Sequence, residues 1–393
     1  MKRLIIFGVI LCLSQGVYAQ GCNTSMGGND GNYQSLAERF SLIEKKNDMF
    51  NLYLNFSASG RTLEEGDGWH TGFANKELRL EIKGNLTDKL FYRLRHRLNK
   101  SNNAKSEDNF AKATDMMMVG YNFSDKFTLM AGKITQIWGG FEYDENPMYI
   151  YEYSDFLDHM DIYSAGAMLS YKPVPTQEIA IEVANSYNGK LSDEFGDDII
   201  VANGQSYKNV EEAKAPLMYV ANWNGCFLDD KLQTRWAYGI QTLAQNTYSR
   251  KLTLGQRLNL PKFQLYVDYM GAWEDMDHLG IITNDLFGDN IRAGKVSYNT
   301  FITKLTYQFA PKWNLLLKGS YETASMKNDQ RAKNYRKSYG WVGSLEYFPE
   351  PTQDLRLFLA YVGRRVNFSD ASGLSGQHLN RIELGLMYRI KCF

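Results

Sequence analysis

The sequence predicts an all-β fold, a 16-stranded antiparallel transmembrane β-barrel behind a short amphipathic helix. Three observations predict it: a secretory leader, long runs of strict apolar–polar alternation, and connectors that alternate between short and long. The closing stretch shows the pattern most clearly. Ile382, Leu384, Leu386, Tyr388 and Ile390 share one face, and Arg381, Glu383, Gly385, Met387 and Arg389 the other. A strand that is apolar on one side and charged on the other suits a wall between lipid and water.

The leader sets the compartment. Lys2 and Arg3 form a positive n-region, Leu4 to Leu13 an apolar segment too short to span a bilayer, and Val17-Tyr18-Ala19 a small-residue cleavage site. Residues 1–19 are therefore expected to be a signal peptide, placing the mature chain in the bacterial outer membrane. A cut before Cys22 would make a lipoprotein instead, but Ala19-Gln20-Gly21-Cys22 lacks the leucine usual three residues before such a cysteine.

Composition excludes other classes. A mean hydropathy of −0.42 and the lack of any second long apolar run argue against a helical membrane protein, while 14% aromatic residues with 26 tyrosines suit a barrel with aromatic girdles. With Lys2 and Arg3 removed, 42 basic residues face 44 acidic ones, about −2 in net charge. Nothing in that balance favours nucleic acid. Cys22, Cys226 and Cys392 are odd in number and far apart, so they outline neither a metal site nor a disulfide framework.

Residues 20–49 read as a Gly/Asn-rich disordered segment followed by a short helix, in which Leu36, Phe40 and Ile43 fall at i, i+4 and i+7. Such a helix would hang in the periplasm, either packing against copies of itself or capping the barrel. The barrel domain is expected over 50–393, with strands at 50–58, 73–84, 89–99, 110–122, 126–134, 161–171, 178–187, 215–224, 231–244, 247–258, 263–273, 295–309, 313–325, 338–348, 354–366 and 379–392. Short turns such as Asn85-Leu-Thr-Asp88 and Ala310-Pro-Lys312 alternate with longer polar loops at 59–72, 100–109, 135–160, 188–214, 274–294, 326–337 and 367–378. The hairpin at Gln245-Asn246 is the exception. Short periplasmic turns and long external loops put both termini in the periplasm.

Side-chain parity assigns the faces. Phe263, Leu265, Val267, Tyr269 and Trp273 should face lipid, and Gln264, Tyr266 and Asp268 the lumen; Leu232, Trp236, Tyr238 and Ile240 oppose Gln233, Arg235 and Gln241 in the same way. Sixteen strands enclose more space than side chains fill, so the lumen should hold water.

Two constellations stand out. On the third strand Arg93, Arg95 and Arg97 point inward about 6.5–7 Å apart, a ladder of permanent positive charge along which anions could pass. Glu77 and Glu81 on the preceding strand, with Arg79 between them, could instead neutralise it. Further inward cations are expected at Arg235, Lys251, Arg257, Lys304, Lys318, Arg356 and Arg389, against inward acids at Glu182, Asp268, Glu322, Glu346 and Glu383. The third long loop, 135–160, has the opposite character. From Ile137 to Asp161 it carries Glu142, Asp144, Glu145, Glu152, Asp155 and Asp158 among Trp138, Phe141, Tyr143, Tyr149, Tyr151, Tyr153 and Phe156, with no lysine or arginine. It reads as an inward-folding constriction whose carboxylates oppose the arginine wall. The alternatives are a Ca2+ site on clustered oxygens, although no EF-type loop is present, or an external solvated surface.

The leader, the Arg-x-Arg-x-Arg strand, Leu129-Met-Ala-Gly-Lys133 leading to Trp138-Gly-Gly-Phe-Glu-Tyr-Asp-Glu-Asn146, and the closing Tyr-Arg-Ile-Lys-Cys-Phe resemble porins of the phosphate-selective O/P type, in the branch of Bacteroides-like bacteria. The resemblance covers essentially the whole mature chain. It implies a homotrimer of channels in outer-membrane lipid, admitting small solutes with a preference for anions such as phosphate, and Arg93, Arg95 and Arg97 are the positions that would guide them. There are two departures: the constriction loop lacks basic residues, and Lys391 stands where the C-terminal signature has an apolar or aromatic residue, a shift that a bulge near Cys392 would absorb. A carbohydrate channel is a further reading, because the loop aromatics could stack on sugar rings; so is a weakly selective general channel. An enzyme is not expected: His70, His96, His159, His278 and His378 have neither a Gly-x-Ser-x-Gly companion nor metal-ligand spacing, and no cofactor motif is present.

Overall fold

The structure, a computed structural model, describes residues 49–65, 68–102, 109–288, 290–350 and 352–392. The segments expected to be the leader, the linker and the helix of Leu36, Phe40 and Ile43, together with Phe393, lie outside the described residues.

Alternating side chains suit extended backbone because each face of the strand then meets one solvent. The strands are β1 (Asn51–Glu65), β2 (Gly68–Asn85), β3 (Leu90–Arg97), β4 (Thr114–Asn122), β5 (Phe127–Thr135), β6 (Tyr163–Val174), β7 (Gln177–Asn185), β8 (Ile200–Asn203), β9 (Ser206–Asn209), β10 (Leu217–Phe227), β11 (Leu232–Ala244), β12 (Thr247–Leu260), β13 (Phe263–Met276), β14 (Ile291–Ala310), β15 (Trp313–Met326), β16 (Arg336–Tyr347), β17 (Asp354–Phe368) and β18 (Gln377–Lys391). Sixteen of them form the barrel. β8 and β9 are a small hairpin within the fourth long loop, where β8 also runs parallel to the start of β14. Sequential barrel strands pair antiparallel, β7 pairs β10 across that loop, and β1 closes the ring on β18 from Tyr53↔Lys391 to Glu65↔Leu379. A closed ring satisfies every backbone group internally, as hydrocarbon requires.

Two expected features are corrected. The long loop at 59–72 does not exist, since β1 continues to Glu65 and β2 starts at Gly68, paired residue for residue. This hairpin rises beyond the short β3, so water reaches both of its faces and apolar alternation fades there although the strands continue. The bulge near Cys392 is absent too: β18 pairs in regular register through Lys391, and the Cys392 N–H donates to the Leu52 carbonyl at 2.8 Å. The tight turn at Gln245-Asn246 is real, with Asn246 at φ 55°, a left-handed conformation asparagine tolerates.

Parity holds along the regularly paired stretches of the barrel strands. Val267, Trp273, Tyr238 and Ile240 are exposed on the outer face, while Asp268, Gln233 and Gln241 are buried inside. One quadrant of the inner wall is not polar, however. Met118, Met130, Met168, Ala180, Ala184, Met218 and Val220 join the third loop's Ile137, Trp138, Phe141, Phe156 and Leu157 in one apolar cluster. That greasy patch gives the loop a reason to fold inward instead of floating in water.

Candidate solute pathway

The third long loop leaves β5 and turns inside at Gly139 and Gly140, whose φ of 70° and 85° favour glycine. A Cβ on Gly139 would lie 3.1 Å from the Arg235 carbonyl, and one on Gly140 3.1 Å from Thr253 Cγ2, so the chain passes close over the wall. A one-turn helix, Phe141–Asp144, follows. Asp268 of β13 accepts the Phe141 and Glu142 N–H groups at 2.8 and 2.9 Å. A second one-turn helix, Asp155–Asp158, is held alike, with Glu322 of β15 accepting the Asp155 and Phe156 N–H groups at 2.8 and 2.9 Å. Glu182 of β7 accepts from Ile137 N–H at 2.7 Å. Three inward acids thus serve as acceptors for helix-start and loop amides that would otherwise be orphaned.

The loop's own carboxylates bind the opposite wall. Asp144 meets Arg235 of β11 at 3.1 Å, Glu145 pairs with Lys304 of β14, and Glu142 with Lys318 of β15. Asp155 bridges Arg336 of β16 and Arg364 of β17, each at 2.8 Å, and Glu152 bridges Arg364 at 3.0 Å and Arg381 of β18 at 2.9 Å. Tyr151 donates to Glu346 at 2.8 Å, Tyr149 to Asp354, and Lys76 of β2 donates to the Ile150 and Tyr151 carbonyls. The loop therefore spans the lumen and is pinned from β7 round to β2. Burial alone would raise the Asp155 carboxyl, yet Arg364 and Arg336 hold it below the usual range. Asp158 stays exposed.

Those pairings revise the expected geometry. Arg235 and Lys304 were candidate steps on an anion path; both are engaged by loop acids. Nor do the loop acids oppose the arginine ladder across open water, because they neutralise β11 to β18. Trp138, Phe141, Tyr143 and Phe156 are 1–5% exposed, packed against the wall and not displayed for stacking on a sugar. Among the described residues no group of three or more His, Cys, Asp or Glu side chains is arranged to hold a metal ion.

The ladder itself lies on β3, and two carboxylates thread it. Arg93 grips Glu81 at 2.7 Å. Arg95 reaches Asp115 at 3.3 Å and donates to the Tyr163 hydroxyl, and Arg97 meets Asp115 at 2.8 Å. Arg79 lies between Glu77 at 2.9 Å and Asp115 at 3.2 Å, while Arg389 approaches Glu81 at 3.4 Å. Glu77 thus serves Arg79, not the ladder. Asp115 is the member that sequence parity missed. A bulge on β4, where Arg95 faces Met116 and His96 faces Thr114, leaves Asp115 as the extra residue and turns it inward. The same device at Ser57/Ala58 against β2 leaves Lys76 as the extra residue, free to reach the loop carbonyls. Among the described residues of this quadrant, with Glu383 of β18 taken up by Arg381 at 2.6 Å, Arg79, Lys83, Arg93, Arg95, Arg97 and Arg389 make six cations against the three carboxylates Glu77, Glu81 and Asp115, leaving +3.

A closed sixteen-stranded barrel with an apolar outer face, a charged inner wall and a loop folded across the lumen is a diffusion channel of the bacterial outer membrane. The chain belongs to the family of phosphate-selective porins O and P, which matches residues 50–390. Solved structures share the fold. The outer-membrane channel DcaP of Acinetobacter baumannii is 11% identical with a TM-score of 0.59, over 91% of this chain and 99% of its own. An anion-selective porin of Comamonas acidovorans is 10% identical at 0.57, over 87% and 100%. OmpT of Vibrio cholerae, solved in a trimer form, is 10% identical at 0.55, over 87% and 99%. No curated protein sequence matches the chain.

Proposed function

We propose that this porin passes small hydrophilic solutes by passive diffusion with a preference for anions such as phosphate, and that it works as a homotrimer. The observation that carries the anion preference is the +3 surplus on β2, β3 and β18, which the acidic loop does not cancel because its carboxylates are paired elsewhere. In a confined lumen such a surplus raises local anion concentration and lowers that of cations. The family description and the anion-selective Comamonas relative point the same way. Reversal potential across a planar bilayer in a salt gradient tests it, with competition by inorganic phosphate: a zero or cation-selective potential refutes the preference. The trimer rests on the trimeric Vibrio relative, and a monomer mass in mild detergent would count against it.

A further inference from the structure

The outer face at the loop end of β16 to β18 carries charge that conduction does not use. Register sets Tyr339 against Arg365 and Arg365 against His378, with Lys337 one rung higher, opposite Asn367. Lys337, Arg365 and His378 are exposed, and Asn367 Oδ1 accepts from Arg365 Nε at 3.1 Å, steadying the guanidinium on that face. Among the described residues neither Lys337 nor Arg365 forms an ion pair, and the two outward rungs across β15 to β18 hold no carboxylate. Just below lie Trp341 and Tyr361, 38% and 42% exposed, and below those the exposed leucines Leu357 and Leu359.

An outward aromatic row marks the boundary between hydrocarbon and headgroups, so Arg365 and His378 one rung above it, and Lys337 two rungs above, stand at headgroup depth. Diagonal neighbours on adjacent strands are about 7–8 Å apart at Cα, within reach of one shared anion for side chains as long as lysine and arginine. Arginine adds a planar fork matched to phosphate oxygens. We propose that Lys337, Arg365 and His378 form a binding site for the phosphate-bearing headgroup of an outer-leaflet lipid, whose acyl chains lie along Leu357 and Leu359. The leucine column continuing beneath the cations favours a lipid over free phosphate, which would gain nothing from it.

The test uses the full detergent-solubilised porin and its Lys337→Gln/Arg365→Gln variant, titrated with bisphosphorylated lipid A, with the same lipid dephosphorylated, and with inorganic phosphate. At about one kcal/mol for each cation near the surface, the double variant should bind the phosphorylated lipid about thirtyfold more weakly. Dephosphorylated lipid should bind no better to wild type than to the variant. Equal affinity of the two proteins for phosphorylated lipid overturns the site. Inorganic phosphate displacing the lipid at matched concentration overturns the lipid assignment in favour of a free-anion site. Both residues face away from the lumen, so the variant's reversal potential should stay at the wild-type value; its loss of lipid binding is thereby separable from any failure of the anion-channel reading.

Discussion

Replacing Arg93, Arg95 and Arg97 together by glutamine removes three charges and takes the β2–β3–β18 quadrant from +3 to zero. The fold should survive, because Glu81 keeps Arg389 at 3.4 Å and Asp115 keeps Arg79 at 3.2 Å, so neither buried carboxylate is stranded. An anion about 10 Å from three unit charges gains about 0.4 kcal/mol from each in a water-like dielectric, about 1.2 kcal/mol in all. That corresponds to about eightfold local enrichment, with cations depleted to match. Planar-bilayer reversal potentials in dilute salt read it directly. With a Debye length near 30 Å at 0.01 M and near 3 Å at 1 M, the anion-to-cation permeability ratio should fall at least about eightfold in dilute salt and hardly change in concentrated salt. A triple variant that keeps the wild-type potential at 0.01 M would show that Arg93, Arg95 and Arg97 are structural partners of Glu81 and Asp115, and the phosphate preference would lose its local basis.

Asp115→Asn works in the opposite sense, taking the quadrant from +3 to +4, and should raise anion preference in dilute salt; an unchanged potential would mean that Asp115 is not felt in the lumen. Lys318→Met leaves Glu142 buried without its ammonium, a loss of about 3 kcal/mol of loop anchorage that single-channel recording should register as added current noise or altered conductance. Acid acts on a second anchor, the pairing of Asp155 with Arg336 and Arg364. The Asp155 carboxyl is held below its ordinary value of 3.8, so its contribution is present above that value and lost as pH falls through the lower folded one. Conductance governed by this anchor should therefore be constant from pH 7 to about 4 and change only below it; a transition near pH 6 would assign the loop's hold to another group.

Much of this was legible from alternation alone. The parity that put Asp268 inside and Val267 outside needs only the strand period, and it held wherever lipid bathed one face and the lumen the other. It failed for physical reasons that alternation cannot encode. Between Gly60 and Phe73 the hairpin projects past the short β3, so no apolar face is required and the strands read as loop. At Asp115 and Lys76 a single extra residue resets the parity, and those two side chains are the ones that thread the arginines and grip the third loop. Nor could spacing show that Asp268 and Glu322 cap helices 126 and 167 residues away.

The loop's lack of basic residues, at first sight an argument against an anion path, follows from where its acids end up. Glu142, Asp144, Glu145, Glu152 and Asp155 meet Lys318, Arg235, Lys304, Arg336, Arg364 and Arg381, so loop and wall from β11 to β18 approach neutrality as a unit. A lysine in the loop would have faced that same basic wall and been repelled from it, weakening the fold that brings the loop inside. Acidic composition is thus what anchoring demands, and selectivity falls to the quadrant the loop's carboxylates do not reach, where, with Glu383 paired to Arg381, the described carboxylates Glu77, Glu81 and Asp115 offset six cations. With that division of labour, Glu145→Gln should loosen the loop and release Lys304 from its pair, raising conductance and anion preference together. A constriction lip opposing the ladder would instead yield a change in preference with the loop's position unaltered.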